Sequence, residues 1–388
     1  MEAVNKKAAV VIGGASGAGM AVACELAALG RHVHILDRVE PGITNKHFTF
    51  HYCDLLDYDE GLIKALAADE AVDTLFISAG FGRVTDFENL HIMEIENLFM
   101  VNTVGAIKAM SGFYERIKSK DTFYCGVIAS IAGFITSPMF SVYGASKAAL
   151  CSFADSVNIE LECNGYKNRI LNVSPGSIKG TSFNKGVSQP ALLSGLAKDI
   201  VHQLMSSSKL FIPEYDTVFK GVLDRYKADK HAFGLSAYQY KKDSGRVSDK
   251  KDGICVGYLS GTWDLFHVGH INILKRAKAM CDYLIVGVHG CGARKGKETF
   301  IPLEERKSVL SAVKYVDLVI DSKDEDADVW QDYKYDKLFV GSDYKGTERF
   351  EKYEKYFADK GVEIVYFPYT QGTSSTQLRN ALEVKDAK

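Results

Sequence analysis

Twice along this chain a short apolar run breaks into a glycine-bearing turn and then into a helix, and that repeated opening restricts the fold more than any other feature. The first instance is Ala8-Ala9-Val10-Val11-Ile12, then Gly13-Gly14-Ala15-Ser16-Gly17-Ala18-Gly19, then helical periodicity from Met20 to Leu29. The second is Ile254 to Leu259, then Gly261-Thr262-Trp263-Asp264-Leu265-Phe266-His267-Val268-Gly269-His270, then apolar residues at helical spacing from Ile271 to Ala279. A helix that starts directly after a strand leaves unpaired N–H groups and a partial positive charge at the strand's end, which is a phosphate site. Behind the first opening, strands and helices alternate through Phe48–Cys53, Leu62–Ala68, Thr74–Ser78, Glu94–Ile107 and Thr122–Ala129. Such alternation predicts a parallel sheet covered by helices on both faces.

A chain of 388 residues exceeds one ordinary core. From Tyr240 to Gly253 it is charged, holds Gly and Ser, and lacks apolar periodicity. We place a linker at 243–252, between a domain at 1–242 and another at 253–388. The expected class is α/β, with two Rossmann-like doubly wound parallel-sheet domains in series. A net charge of −2 gives no reason to expect nucleic acid or an anionic membrane as partner. The eight cysteines form no Cys-x-x-Cys pair and no zinc spacing, so they read as reduced packing residues. No apolar run approaches the roughly 20 residues of a spanning helix, so no membrane insertion and a cytoplasmic location are expected.

In the first domain, glycines at 13, 17 and 19 permit a tight turn and close approach of backbone to a pyrophosphate. The second strand, His32–Leu36, ends in Asp37, 18 residues past Gly19. A carboxylate there accepts from ribose hydroxyls and repels a 2′-phosphate, which favours NAD over NADP; the adjacent Arg38 tempers that preference. Ser130 stands at a strand end, and Tyr143 and Lys147 lie one helical turn apart on one face. The Lys147 ammonium is expected to depress the Tyr143 phenol pKa and to hold the ribose, while Ser130 orients a carbonyl and Tyr143 supplies the proton. Gly13-x3-Gly17-x-Gly19, Asn102, Ser130, Tyr143, Lys147 and Pro175-Gly176-Ser177-Ile178 together resemble the short-chain dehydrogenase/reductase family over residues 1 to about 240. The resemblance implies NAD(P)(H), a Ser-Tyr-Lys-Asn catalytic set, and cofactor contacts from Asp54, Gly80 and Ile178 as well. Ile12, Ser78 and the position of Thr181 depart from the family pattern. Lys179, Lys185, Lys209 and Arg83 are candidate partners for a substrate phosphate.

In the second domain, His267 and His270 add donors to nearly one face of the helix start. The stretch from Gly261 to His270 resembles the His-x-Gly-His signature of the nucleotidyltransferases that make CDP-glycerol, CDP-choline and CDP-ethanolamine. Lys295 and Lys297, Glu305-Arg306-Lys307, Gly341-Ser342-Asp343, and Thr373-Ser374-Ser375-Thr376 with Arg379 follow in the family's order. The resemblance implies attack of a phosphate on the α-phosphorus of CTP. It assigns His267, His270 and Lys295 to catalysis, and Gly261, Thr262, Asp264, Thr373, Ser374, Ser375 and Thr376 with them to CTP. Arg306 and Asp343 are expected at the substrate, and Mg²⁺ is expected to be held through CTP oxygens without direct protein ligands. Tyr369 and Lys314 stand where CDP-glycerol enzymes carry arginines.

A reductase joined to a cytidylyltransferase suggests that the alcohol made by one half is activated by the other. The expected route runs from a keto-sugar phosphate through an alditol phosphate to a CDP-alditol for cell-surface polysaccharide. Ribulose 5-phosphate to CDP-ribitol leads, and dihydroxyacetone phosphate to CDP-glycerol follows. A third possibility is a transferase carrying a non-catalytic NAD(H)-binding or dimerising module. The resemblances also imply a homo-oligomer.

Overall fold

Ala8–Ile12 is too short for a helix and wholly apolar, and all five residues are buried, as a central parallel strand requires. The computed structural model describes residues 7–56, 59–90, 92–181, 183, 188–245, 247, 255–290 and 299–368. The chain divides into two units, Met1–Lys251 and Asp252–Lys388.

In the first unit the order is β1 (Ala8–Ile12), α1 (Gly17–Ala28), β2 (His32–Asp37), β3 (Phe48–Tyr52), α2 (Glu60–Ala68), β4 (Val72–Ile77), α3 (Ile92–Phe99), α4 (Ala106–Gly112), α5 (Tyr114–Ile117), β5 (Tyr124–Ile128), α6 (Ser141–Cys163), β6 (Ile170–Val173), α7 (Ser194–Met205), β7 (Leu210–Phe211), α8 (Lys220–Ala228) and α9 (Lys230–Asp243). The seven strands pair in parallel in the order β3-β2-β1-β4-β5-β6-β7. Strand order reverses beside β1, so a crevice opens at the carboxyl ends of β1 and β4. One face of the sheet packs on α2, α4, α5 and α6 through residues such as Ile63, Met110, Phe113 and Leu150. The other packs on α1 and α7 through Met20, Leu26, Ile200 and Leu204.

Two elements differ from the sequence reading. The helix expected over Glu94–Ile107 is interrupted by a π-helical turn, Met100–Gly105, between α3 and α4. The stretch read as linker from Tyr240 is still helical to Asp243, where α9 ends.

The second unit contains β8 (Val256–Gly261), α10 (Val268–Lys278), β9 (Tyr283–Val288), α11 (Leu303–Ser311), β10 (Leu318–Asp321), α12 (Asp326–Tyr333), β11 (Lys337–Gly341), α13 (Glu348–Phe357) and β12 (Glu363–Phe367). Its five parallel strands run β10-β9-β8-β11-β12, with the reversal beside β8. Leu259, Leu274, Leu284, Val286, Leu310 and Phe339 fill its core. In each unit the glycine-bearing opening therefore lies at the point where the strand order turns back. Among the described residues no helix is long and apolar enough to cross a membrane.

Candidate active sites

The turn after β1 is built by backbone proximity. Gly13 has φ +76°, and a Cβ on it would lie 2.4 Å from the amide nitrogen of Ala79. A Cβ on Gly19 would lie 2.0 Å from the Gly13 carbonyl oxygen, so α1 can start this close to the sheet only with glycine there. The Gly17 amide donates to the Ser188 hydroxyl at 2.8 Å, an oxygen acceptor at the head of the helix. Thr181 packs against Gly17, and its hydroxyl donates to the Ile178 carbonyl. The Asp37 carboxylate accepts from the amides of Ala15 at 3.0 Å and Arg38 at 2.7 Å, so it spans from the end of β2 to the turn. Asp54 follows β3 and accepts from the Leu56 amide at 2.9 Å. The donor set and the glycine cradle fit a dinucleotide.

Across the sheet, four expected side chains converge. The π-helical turn carries Asn102, fully buried, whose amide is held by the Phe81 N–H and carbonyl, both at 2.9 Å, and which donates to the Ser146 hydroxyl at 3.2 Å. A wider helical turn here aims one side chain out of the normal register. A Cβ on Gly80 would lie 3.0 Å from Asn102 Oδ1 and 3.2 Å from Lys147 Nζ, which puts Gly80, Asn102 and Lys147 in one cluster. Lys147 donates to the Ile128 carbonyl at 2.9 Å, and Nζ lies 6.0 Å from the Tyr143 ring centre. Ser130 caps a short turn by accepting from the Ala132 amide at 3.1 Å, and it hydrogen-bonds Tyr143.

The expected depression of the Tyr143 pKa is corrected. Burial pushes the phenol up to about 12, only partly offset by the hydrogen bond with Ser130. Burial likewise pushes Lys147 down to about 8, because enclosure penalises the charged form of each group. Phe140 and Phe183 pack around Tyr143, with ring centres 4.9 and 5.3 Å away. Arg83, nominated for a substrate phosphate, is engaged by Glu94 at 2.7 Å and by the Asn89 carbonyl. Lys209 pairs with Glu162, Lys179 is exposed, and Lys185 lies outside the described residues.

In the second unit the turn after β8 holds Trp263 at φ +57° and Leu265 at φ +49°, a left-handed conformation that costs on the order of 1–3 kcal/mol per non-glycine residue. The Trp263 indole N–H anchors it on the Gly287 carbonyl at 3.0 Å, and the Trp263 ring packs over Gly261. The two histidines then cap α10 reciprocally. His267 Nδ1 accepts from the Gly269 amide at 3.0 Å, and the His267 amide donates to His270 Nδ1 at 3.3 Å. With both Nδ1 atoms accepting, each neutral ring carries its proton on Nε2. The rings lie 4.1 Å apart, and Trp263 and Phe266 flank His270 at 5.3 Å. Burial and the neighbouring His267 push His270 down to about 4, and burial lowers His267, so both are neutral donors at physiological pH.

Two expected contact residues are placed elsewhere. Arg306 is 1% exposed, and its guanidinium donates to the carbonyls of Ile301, Thr262, His289 and Gly290. It thus pins the signature turn to the chain that follows β9, a positioning role in place of the substrate contact anticipated for it. Asp264 is also buried, and its carboxylate accepts from the amides of Phe300 and Ile301 at 3.1 and 3.0 Å instead of facing a triphosphate. Replacing Arg306 by Met should destabilise this unit by about 3 kcal/mol, since several enclosed carbonyls lose a charged donor. Arg306→Lys should recover only part of that, because an ammonium cannot fork between them. Thermal unfolding with and without CTP checks both; a wild-type midpoint for the Met variant would contradict this placement. Asp343 is exposed beyond β11, and Lys314 is exposed with its ammonium over the Tyr315 ring. Lys295, Lys297, Tyr369, Thr373, Ser374, Ser375, Thr376 and Arg379 lie outside the described residues.

Comparison with known proteins follows the same division. The short chain dehydrogenase family profile matches residues 7–191, and the cytidylyltransferase-like profile matches residues 258–381. The glycerol-3-phosphate cytidylyltransferase of Staphylococcus aureus is 38% identical over 132 residues, which are 33% of this chain and 95% of that protein. The chain joins a short-chain dehydrogenase to a member of the cytidylyltransferase-like family. The Bacillus subtilis glycerol-3-phosphate cytidylyltransferase is similar to the cytidylyltransferase domain at 34% identity, covering 31% of this chain and 92% of that protein. An uncharacterised oxidoreductase of Saccharomyces cerevisiae is similar to the dehydrogenase domain at 31% identity, covering 50% of this chain and 66% of that protein. An NAD(P)-dependent oxidoreductase domain and a nucleotidyltransferase domain thus share one chain.

Proposed function

We propose that the dehydrogenase domain reduces a phosphorylated ketose to an alditol phosphate, and that the cytidylyltransferase domain couples this product to CTP, giving a CDP-alditol and pyrophosphate. The observation that carries the reading is one covalent chain holding both a buried Asn102, Ser130, Tyr143 and Lys147 cluster and a histidine-capped helix start behind a strained turn. Ribulose 5-phosphate and CDP-ribitol are the leading pair. Dihydroxyacetone phosphate and CDP-glycerol are the second, favoured by the names of the Staphylococcus and Bacillus relatives.

Gly13, Gly17, Gly19, Asp37, Asp54, Gly80 and Ile178 would hold the dinucleotide. The Asp37 carboxylate over the turn favours NADH, since a 2′-phosphate would meet like charge. The bound nicotinamide supplies the hydride. The chain's part is acid catalysis: Ser130 donates to the ketone oxygen, Tyr143 delivers a proton to it, and the Lys147 ammonium stabilises the phenolate left behind. In the other domain the alditol phosphate oxygen attacks the α-phosphorus of CTP while the bond to the departing pyrophosphate breaks. His267 and His270 present two Nε2–H donors to that charge, with Lys295 and the amides at Thr373–Thr376 completing the site. Mg²⁺ would enter on the triphosphate, held mainly through CTP oxygens. The setting is the cytoplasm, the protein a homo-oligomer, and the product a precursor of cell-surface polysaccharide.

The direct test incubates the protein with each ketose phosphate, NADH or NADPH, CTP and Mg²⁺, and follows coenzyme oxidation and CDP-linked product together. Coenzyme oxidation without any CDP-linked product would defeat the pathway.

A further inference from the structure

The helical hairpin of α8 and α9 lies beyond the matched dehydrogenase profile, which ends at residue 191. It is nevertheless fastened to the segment that leads into the catalytic helix. The ring of Phe219, just ahead of α8, sits so close to Gly176 that a Cβ there would be 2.3 Å from Cζ. Tyr226 of α8 shares a hydrogen bond with the Thr136 hydroxyl at 3.1 Å. Lys241 of α9 donates to the Ser137 hydroxyl and to the Pro138 carbonyl, both at 2.6 Å. Its ammonium lies 5.0 Å from the centre of the Phe140 ring, and that ring is 4.9 Å from Tyr143.

Lys241 is anomalous among the cations near this site. It is partly buried, and burial pushes it down to about 8. Its partners are neutral oxygens and a ring, and two acceptors leave one of its three N–H groups over. No carboxylate pairs with it among the described residues, whereas Arg83 has Glu94 and Lys209 has Glu162. Partial burial of a cation without an anion is costly, and an anionic ligand removes that cost. We propose that Lys241 is a specificity-determining residue of the dehydrogenase site, receiving the phosphate monoester of the ketone substrate beside the Phe140 ring. This rests on the reading of the substrate as a phosphorylated ketose. The phosphate takes the third N–H and competes for the two held by Ser137 and Pro138, and the carbonyl end of the short substrate then reaches Tyr143.

The test compares wild type, Lys241→Met and Lys241→Arg on ribulose 5-phosphate and dihydroxyacetone phosphate against ribulose and dihydroxyacetone. For the Met variant, KM for the phosphorylated ketone it accepts should rise roughly 10- to 100-fold with kcat little changed, the loss expected for charge-assisted hydrogen bonds. KM for the unphosphorylated ketone should not move, and Lys241→Arg should restore most of the loss. An unchanged KM, or an equal rise with both ketones, overturns the assignment. If the Met variant does not fold, acetylation of Lys241 in the wild-type chain decides: protection by the ketose phosphate with NAD⁺, and not by the unphosphorylated ketone, supports it, and no protection overturns it. If wild type reduces neither phosphorylated ketone, the substrate reading itself falls, which is a different outcome from a Lys241 variant that behaves as wild type.

Discussion

Tyr143→Phe should lower ketose phosphate reduction by about 10³-fold while leaving CDP-alditol formation from added alditol phosphate at the wild-type rate. Loss of a positioned general acid accounts for 10²- to 10⁴-fold, and here burial keeps the phenol protonated, up to about 12, so it is loaded as a donor throughout the neutral range. The Phe ring retains the packing against Phe140 and Phe183, so the change removes the proton and little else. Lys147 adds a pH signature. Its ammonium is held down to about 8 by enclosure, so reduction should fall as pH rises beyond that value and the charge that stabilises the phenolate is lost. Coenzyme oxidation measured against pyrophosphate release separates the domains. Unchanged product output from the ketose in the Phe variant would instead make the dehydrogenase domain a non-catalytic module.

How much of this was legible beforehand depended on whether the determining physics was local. Gly13 and Gly19 announce themselves because a helix starting at the end of a strand leaves no room for a side chain, and the Tyr143 to Lys147 spacing is one helical turn. The expected depression of the Tyr143 phenol failed for a reason spacing does not contain: enclosure by the sheet and the aromatic wall outweighs the ammonium. Asn102 was identified as a residue, but nothing in an ordinary helical pattern signals the π-helical turn that aims it at Phe81. Arg306 was expected at the substrate and turns out fully enclosed, because the carbonyls that capture it come from three separate stretches of chain. Lys241 was hidden inside a charged run that resembled a linker, and its partners lie more than 100 positions earlier. The turn with left-handed Trp263 and Leu265, which local propensity argues against, is held by the Trp263 indole on the Gly287 carbonyl and by the intervening Asp264 carboxylate on the amides of Phe300 and Ile301.

His270→Ala should reduce CTP-dependent transfer by 10²- to 10³-fold, the range for removing one preorganised donor to developing negative charge, with ketose reduction untouched. The donor is preorganised because its other ring nitrogen is tied to the His267 amide, so truncation also releases half of the reciprocal cap. A linked effect on stability has a definite sign. The folded-state pKa of His270 is depressed from 6.5 to about 4 by burial and by His267, so its contribution is present above 6.5 and is lost as pH falls through about 4. The size is on the order of 2–3 kcal/mol for a side chain this enclosed. Unfolding of the full chain, with the second domain's transition identified by its shift on adding CTP, should therefore show a midpoint that declines between those pH values in wild type and declines less in the Ala variant. Parallel declines would mean that another group carries the acid sensitivity. A transferase rate unaffected by the substitution would remove His270 from the charge-stabilising set altogether.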